Sequence, residues 1–113
     1  MGGLYGHPHG YCCAVSLPVI MAYNMPVCAQ KYARLAVALG ADGAGAPDAQ
    51  LAATTIDAIR ALNRDLDIPP MSTMIRAEDL DVLGDKAAQN TSSPSNPRAA
   101  TAADYREMFA REI

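Results

Sequence analysis

With 113 residues, half of them apolar, the chain is long enough for one domain with a buried core and too short for two ordinary ones. A net charge of −3 without any cluster of Lys or Arg excludes the electrostatic footprint of a nucleic-acid-binding module. Three cysteines, Cys12, Cys13 and Cys28, make no even disulfide framework and fit a reduced, cytoplasmic setting.

Alanine dominates the apolar fraction, only 5% of residues are aromatic, and no segment alternates at period two. Alanine has the highest intrinsic helix propensity, so an all-α fold follows, a helical bundle of about five helices in one domain, 1–113.

Residues 1–8 are rich in Gly and Pro and predict an irregular entry loop. A first helix is expected from His9 or Gly10 to Tyr23, apolar on nearly every face, with Pro18 kinking it. Such a helix must be covered on all sides. The run 12–23 has no basic region before it and no clean cleavage pattern after it, which argues against a signal peptide. It is short for a bilayer span, and Pro18 interrupts it, so no membrane is expected.

Asn24 predicts the N-cap of a second helix with Pro26 in its first turn. Its inner face is Tyr32, Leu35, Ala36 and Leu39, and Gly40 stops it. A flexible loop over 41–47 follows, and Asp48 is placed to cap a third helix. Leu51, Thr55, Ile59, Leu62 and Leu66 line one side of that helix, with Ala52 and Ile56 beside them. Ile68-Pro69-Pro70 ends it. Residues 71–77 form a connector, and 77–89 a further helix that Gly84 weakens. Acidic residues Asp79 and Asp81 read as solvated helix starts. After a polar loop over 90–98, Thr101 and Asp104 form a capping box for a last helix with Tyr105, Met108 and Phe109 on one face.

The chemistry-bearing residues are few. His7-Pro8-His9 is the sole histidine pair, and neutral imidazole suits Fe(II) or Zn(II). By spacing alone ordinary loop histidines are the better explanation, because catalytic sites draw three or more ligands from several elements. Cys12 and Cys13 read as buried, inert thiols. The methionines read as gap fillers, and Gly43 and Gly45 lack the context of a phosphate-binding loop. No catalytic or cofactor-binding residue is assigned.

The order of several short runs adds more. Gly2-Gly3 and Tyr5 lead into Pro8-His9-Gly10, then Tyr23-Asn24 and Lys31-Tyr32-Ala33-x-Leu35-Ala36-x-Ala38-Leu39-Gly40. Ala58-Ile59-x-x-Leu62, Asp67-Ile68-Pro69 and Asn96-Pro97-Arg98-x-Ala100-Thr101-x-x-Asp104 follow. In this order they resemble the helical domain of the iron-type (group III) alcohol dehydrogenases. The resemblance implies a divalent metal, usually iron and sometimes zinc, and NAD(P) in the intact enzyme. Its substrate would be a small alcohol, aldehyde or ketone. It implies that His9 is the last of four metal ligands, an Asp and three histidines, and it gives His7 no role. It also makes Ser92 a weak candidate for the substrate pocket, where many relatives carry Cys. Arg98 is expected to order the C-terminal loop by hydrogen bonds.

The other three ligands and the pyrophosphate-binding segment of that family have no counterpart here. The expectation is a domain incomplete on its N-terminal side, inactive alone. Two alternatives stand beside it. One is a free-standing helical domain that covers its apolar first helix by association with a partner or a second copy. The other is part of a related maleylacetate reductase.

Overall fold

A computed structural model of the chain describes residues 1–91 and 93–113. Among the described residues the secondary structure is helical throughout, with five α-helices: α1 (Gly2–Tyr5), α2 (His9–Ala38), α3 (Asp48–Asp65), α4 (Leu80–Ala88) and α5 (Ala102–Ala110). Short 3-10 turns at Met71–Thr73, Ala77–Asp79 and Ser93–Ser95 join them. The all-α expectation of about five helices holds, but the helices are differently divided.

The largest difference is at Asn24. It caps nothing, because α2 runs uninterrupted through it for 30 residues. At 1.5 Å per residue such a helix is about 45 Å long, which matches the 44 Å longest dimension of the molecule. Helical propensity on both sides outweighs two internal prolines, and tertiary contacts repair the damage. Pro18 has no N–H for the Ala14 carbonyl; the Asn63 side chain on α3 donates to that carbonyl instead, at 2.8 Å. Pro26 likewise takes the donor from the Ala22 carbonyl, and next to it the Tyr23 carbonyl accepts from Arg98 at 2.8 Å.

Its length also corrects the bilayer argument. By length and composition α2 is sufficient to cross a membrane, although one such apolar helix is weak evidence. Its contacts here are with protein: α3 packs along it, and α5 touches it.

The main core forms between Val15 and Val19 of α2, Met71, Met74 and Ile75 of the connector, Leu80 and Leu83 of α4, and Tyr105, Met108 and Phe109 of α5. The methionines do fill core space. A smaller cluster of Ala33, Ala36 and Leu51 joins α2 to α3, with Ala41 and Ala46 beside it. Thr55 is the buried polar residue of this interface and donates to the Tyr32 carbonyl at 2.7 Å.

Several expected core positions lie outside. Leu35 and Leu39 on α2 are exposed, and so are Leu62 and Leu66 toward the end of α3. A helix pair buries only the stripe along its contact line, and these residues fall beyond it. Tyr11, Leu17 and Val27 are also exposed on α2, so this helix is not covered on all sides. Cys13 is exposed and Cys12 half-buried, contrary to the expected burial; only Cys28 is buried.

The remaining elements follow local rules. The entry segment is α1 followed by Gly6 at φ 72°, rather than irregular loop. Asp48 is the first residue of α3 rather than its cap, a position that Pro47 takes. There its charge still suits the helix N-terminus. At the far end Asp67 adopts φ 57°, and the Asp67 and Ile68 amides close on the Arg64 and Asn63 carbonyls. This is a Schellman closure with aspartate where glycine is usual. Gly84 is buried against α5, so it marks a close approach of helices rather than a weak point.

The capping box at α5 is complete. Thr101 Oγ1 accepts from the Asp104 amide, and Asp104 Oδ2 accepts from the Thr101 amide and hydroxyl. These bonds hold the Asp104 carboxyl below its ordinary range, the Thr101 amide being the main cause. A lowered folded-state pKa stabilises the fold above the unfolded value of about 3.9, and that contribution disappears as pH falls through the folded value. Thr101→Ala is expected to cost about 1 kcal/mol at neutral pH. In Asp104→Ala, which removes the carboxylate from both bonds, thermal melts between about pH 5 and 3 should show a shallower acid loss than in the native chain. Parallel acid profiles would contradict the capping argument.

Candidate metal-ligand region

The entry segment is pinned to the connector 71–79. Tyr5 Oη donates to Asp79 Oδ2 at 2.7 Å and accepts from the Arg76 amide at 3.2 Å. The Arg76 guanidinium lies 5.5 Å above the Tyr5 ring and pairs with Asp79 at 3.1 Å. Asp79 is therefore engaged on both sides rather than simply solvated. Asp81 is exposed but pairs with Arg106 of α5.

The two histidines separate cleanly. His7 Nε2 donates to the Met74 carbonyl at 2.7 Å, and its ring meets Tyr5 at 5.5 Å. His7 is thus an anchor for the entry segment. His9 opens α2, with Pro8 before it as N-cap in an extended conformation. It is exposed, and its imidazole faces Cys13 one turn on, with Nε2 3.4 Å from Sγ.

The structure thus leaves His9 presented at a helix start. The described residues contain no group of three or more His, Cys, Asp or Glu positioned around a common point. His9 therefore stands apart from any multi-ligand centre among the described residues. Ser92, the pocket candidate, lies outside the described residues. Its neighbour Ser93 is hydrogen-bonded to the Tyr105 hydroxyl at 2.6 Å.

A second cluster ties the middle of α2 to the loop before α5. Asn24 and Asn96 exchange two hydrogen bonds, each of 2.8 Å, and Asn24 is buried. The Asn96 amide also donates to the Arg98 carbonyl at 2.6 Å. The Arg98 guanidinium stacks 4.2 Å over the Tyr23 ring, a cation–π contact, and the Tyr23 hydroxyl donates to the Ala99 carbonyl. Loss of solvent around Tyr23, and then the Asp104 carboxylate 3.5 Å away, raise its phenol above the ordinary value. Arg98 orders the loop as expected. A cleft of about 220 Å³ opens here between Val19, Tyr23, Arg98, Asp104, Met108 and Arg111.

Reading the residues singly missed three things: the Asn24–Asn96 exchange, the Tyr5–Asp79–Arg76 network and the exposure of Cys13. The first two join residues more than 70 positions apart, which no local pattern reveals. The third had a visible signal, since His9 and Cys13 are spaced i, i+4 at a helix start.

Comparison with known proteins agrees with this arrangement. Residues 1–113 match the pattern described as "Fe-containing alcohol dehydrogenase family, C-terminal". The lactaldehyde reductase of Escherichia coli (strain K12) is 33% identical over 111 residues, covering 96% of this chain and 29% of that protein. The NAD-dependent methanol dehydrogenase of Bacillus methanolicus is 30% identical over the same length. The crystal structure of a 1,3-propanediol oxidoreductase superposes with a TM-score of 0.92 at 29% identity, covering 99% of this chain and 30% of that one. The chain thus spans somewhat under a third of the length of these relatives. A whole-length family match, a shared fold and a Pro-His-Gly run at the start of the long helix converge: this chain belongs to the Fe-containing alcohol dehydrogenase family and corresponds to its C-terminal helical part.

Proposed function

We propose that the chain serves as the metal-facing helical part of an NAD(P)-linked alcohol dehydrogenase that interconverts a small alcohol and its aldehyde or ketone. The observation that carries this reading is His9. It opens α2 with an exposed imidazole that, among the described residues, neither a carboxylate nor a backbone carbonyl engages, within a chain matched to the family from end to end. The metal, Fe2+ or else Zn2+, supplies Lewis-acid polarisation of the alcohol oxygen when bound.

This chain's own contribution is positional. Tyr5 and His7 fasten the entry segment to the connector, and that fastening sets where α2 begins and where His9 points. A single imidazole holds a divalent ion weakly, so the chain alone is expected not to turn over alcohol. Three free cysteines accord with a cytoplasmic location. Exposed Tyr11, Leu17 and Val27 favour association through α2 in the working protein, with another part of the enzyme or a second subunit.

A chimera tests the reading. The matching C-terminal region of the E. coli lactaldehyde reductase is replaced by this chain, and metal content and alcohol-dependent NAD+ reduction are measured. The chimera should bind metal and turn over. His9→Ala should lower both by at least roughly tenfold, since even substitutions outside the ligand shell cost that much at metal sites. A His9→Ala chimera with full metal content would refute the assignment. Turnover by the unfused chain with added Fe2+ or Zn2+ would refute its inactivity.

A further inference from the structure

We propose that the Asp42-Gly43 pair, in the loop between α2 and α3, is a site of spontaneous backbone modification that converts Asp42 to isoaspartate through a cyclic imide. The proposal concerns this loop alone and stands whether or not the enzymatic reading holds.

Sequence and geometry meet at this pair. Asp42 is the one Asp or Asn in the chain that glycine follows, and glycine has no side chain to shield its amide nitrogen from the preceding carboxyl. The Gly43 amide is also uncommitted. The end of α2 closes through the Gly40 and Ala41 amides, which donate to the Val37 and Ala36 carbonyls at 3.0 Å each, whereas among the described residues the Gly43 amide donates to nothing. Asp42 is exposed, and its Oδ1 accepts from the Ala44 amide at 3.0 Å. That bond folds the carboxyl forward over its own downstream peptide, toward the nitrogen that would attack it. Nor can the glycine be exchanged freely, because a Cβ on Gly43 would lie 2.8 Å from Val37 Cγ2. The close passage over Val37 thus demands the same residue that leaves the amide open.

The chemistry needs no co-reactant but water. The Gly43 nitrogen bonds to Asp42 Cγ and gives up its proton, the Cγ–OH bond breaks, and water leaves a five-membered succinimide. Water then adds back at either ring carbonyl. Addition at Cγ restores aspartate. Addition at the main-chain carbonyl breaks the original peptide bond and leaves Gly43 joined through Cγ, which is isoaspartate of unchanged mass. The main chain now runs through Cβ and is longer by one atom. Ala41 and Ala46, on either side, pack against the Ala33, Ala36 and Leu51 cluster, so the extra length bears on the contact between α2 and α3.

Ageing the purified chain in 18O-labelled water at physiological temperature tests this. Label should enter at Asp42, located by fragmentation mass spectrometry, and the aged chain should become a methyl acceptor for an isoaspartyl methyltransferase. Asp42→Glu would need a six-membered ring and should lose both signals, with helicity by circular dichroism unchanged. Asp42→Asn should keep methyl acceptance and gain it faster, since the imide then forms with loss of ammonia. The isoaspartyl fraction, once separated, should melt below the unmodified chain. Absence of isoaspartate at position 42, label spread over the other aspartates, or undiminished methyl acceptance in Asp42→Glu would each overturn the site. An unaltered Tm in the isoaspartyl fraction would overturn its link to the α2–α3 contact.

Discussion

Asn24→Ala is expected to lower the free energy of unfolding by about 2–3 kcal/mol, measured by urea denaturation. Asn24 is buried in the middle of α2 and exchanges two hydrogen bonds with Asn96. Alanine removes both bonds and leaves Asn96 Oδ1 without its donor in a partly buried site, although the Asn96 amide keeps its bond to the Arg98 carbonyl. An unsatisfied polar group costs more than the bond itself was worth, which is why the loss exceeds the usual 1 kcal/mol or so per hydrogen bond. The same variant frees the 96–98 loop, whose Arg98 caps the Tyr23 ring. The double variant Asn24→Ala/Asn96→Ala should be less destabilised than the sum of the two single changes, by roughly 0.5–3 kcal/mol. Strict additivity would show that the pair does not act as a unit.

Gly84→Ala should destabilise by about 2 kcal/mol even though alanine is the better helix former by about 1 kcal/mol. A Cβ built on Gly84 would lie 2.6 Å from the Ala102 carbonyl oxygen and 3.2 Å from Arg106 Cβ. The first obstacle is backbone at the start of α5, so relief requires α4 and α5 to separate. That separation would loosen Leu83 from Tyr105, Met108 and Phe109, the centre of the main core. Asp67→Gly supplies the opposite case. Asp67 holds φ 57° at the end of α3, a conformation that glycine adopts without a Cβ penalty, so this change should raise stability by up to about 1 kcal/mol. Thermal or urea melts of the two variants should move in opposite directions. A stabilised Gly84→Ala chain would mean that the α4–α5 contact yields easily and that propensity decides.

These two positions show how sequence and tertiary structure divide the work. Local rules sufficed for the ends of elements. The capping box at Thr101 and Asp104, the stop before Pro69 and the apolar face of α5 depend on neighbours within four residues, and each formed as the residues indicate. The family resemblance was also legible, because it rests on the order of short motifs, and it brought His9 forward when spacing alone did not.

What the residues in order could not settle was where propensity and capping signals compete with distant partners. Asn24 followed by Pro26 has the form of a helix start, yet Asn96, 72 positions away, accepts its side chain and α2 continues. Pro18 has the form of a break, yet Asn63 on α3 satisfies the carbonyl it orphans. Gly84 looked like a weakness and is a contact. Leu35, Leu39, Leu62 and Leu66 fit an amphipathic stripe, but the crossing of α2 and α3 buries only the nearer part of it. Amino-acid order by itself determined that this protein is helical, where most helices end, and which family it resembles. Tertiary packing alone decided that two expected helices are one and which faces are covered, because long-range hydrogen bonds and steric fit are set by residues that no local window contains.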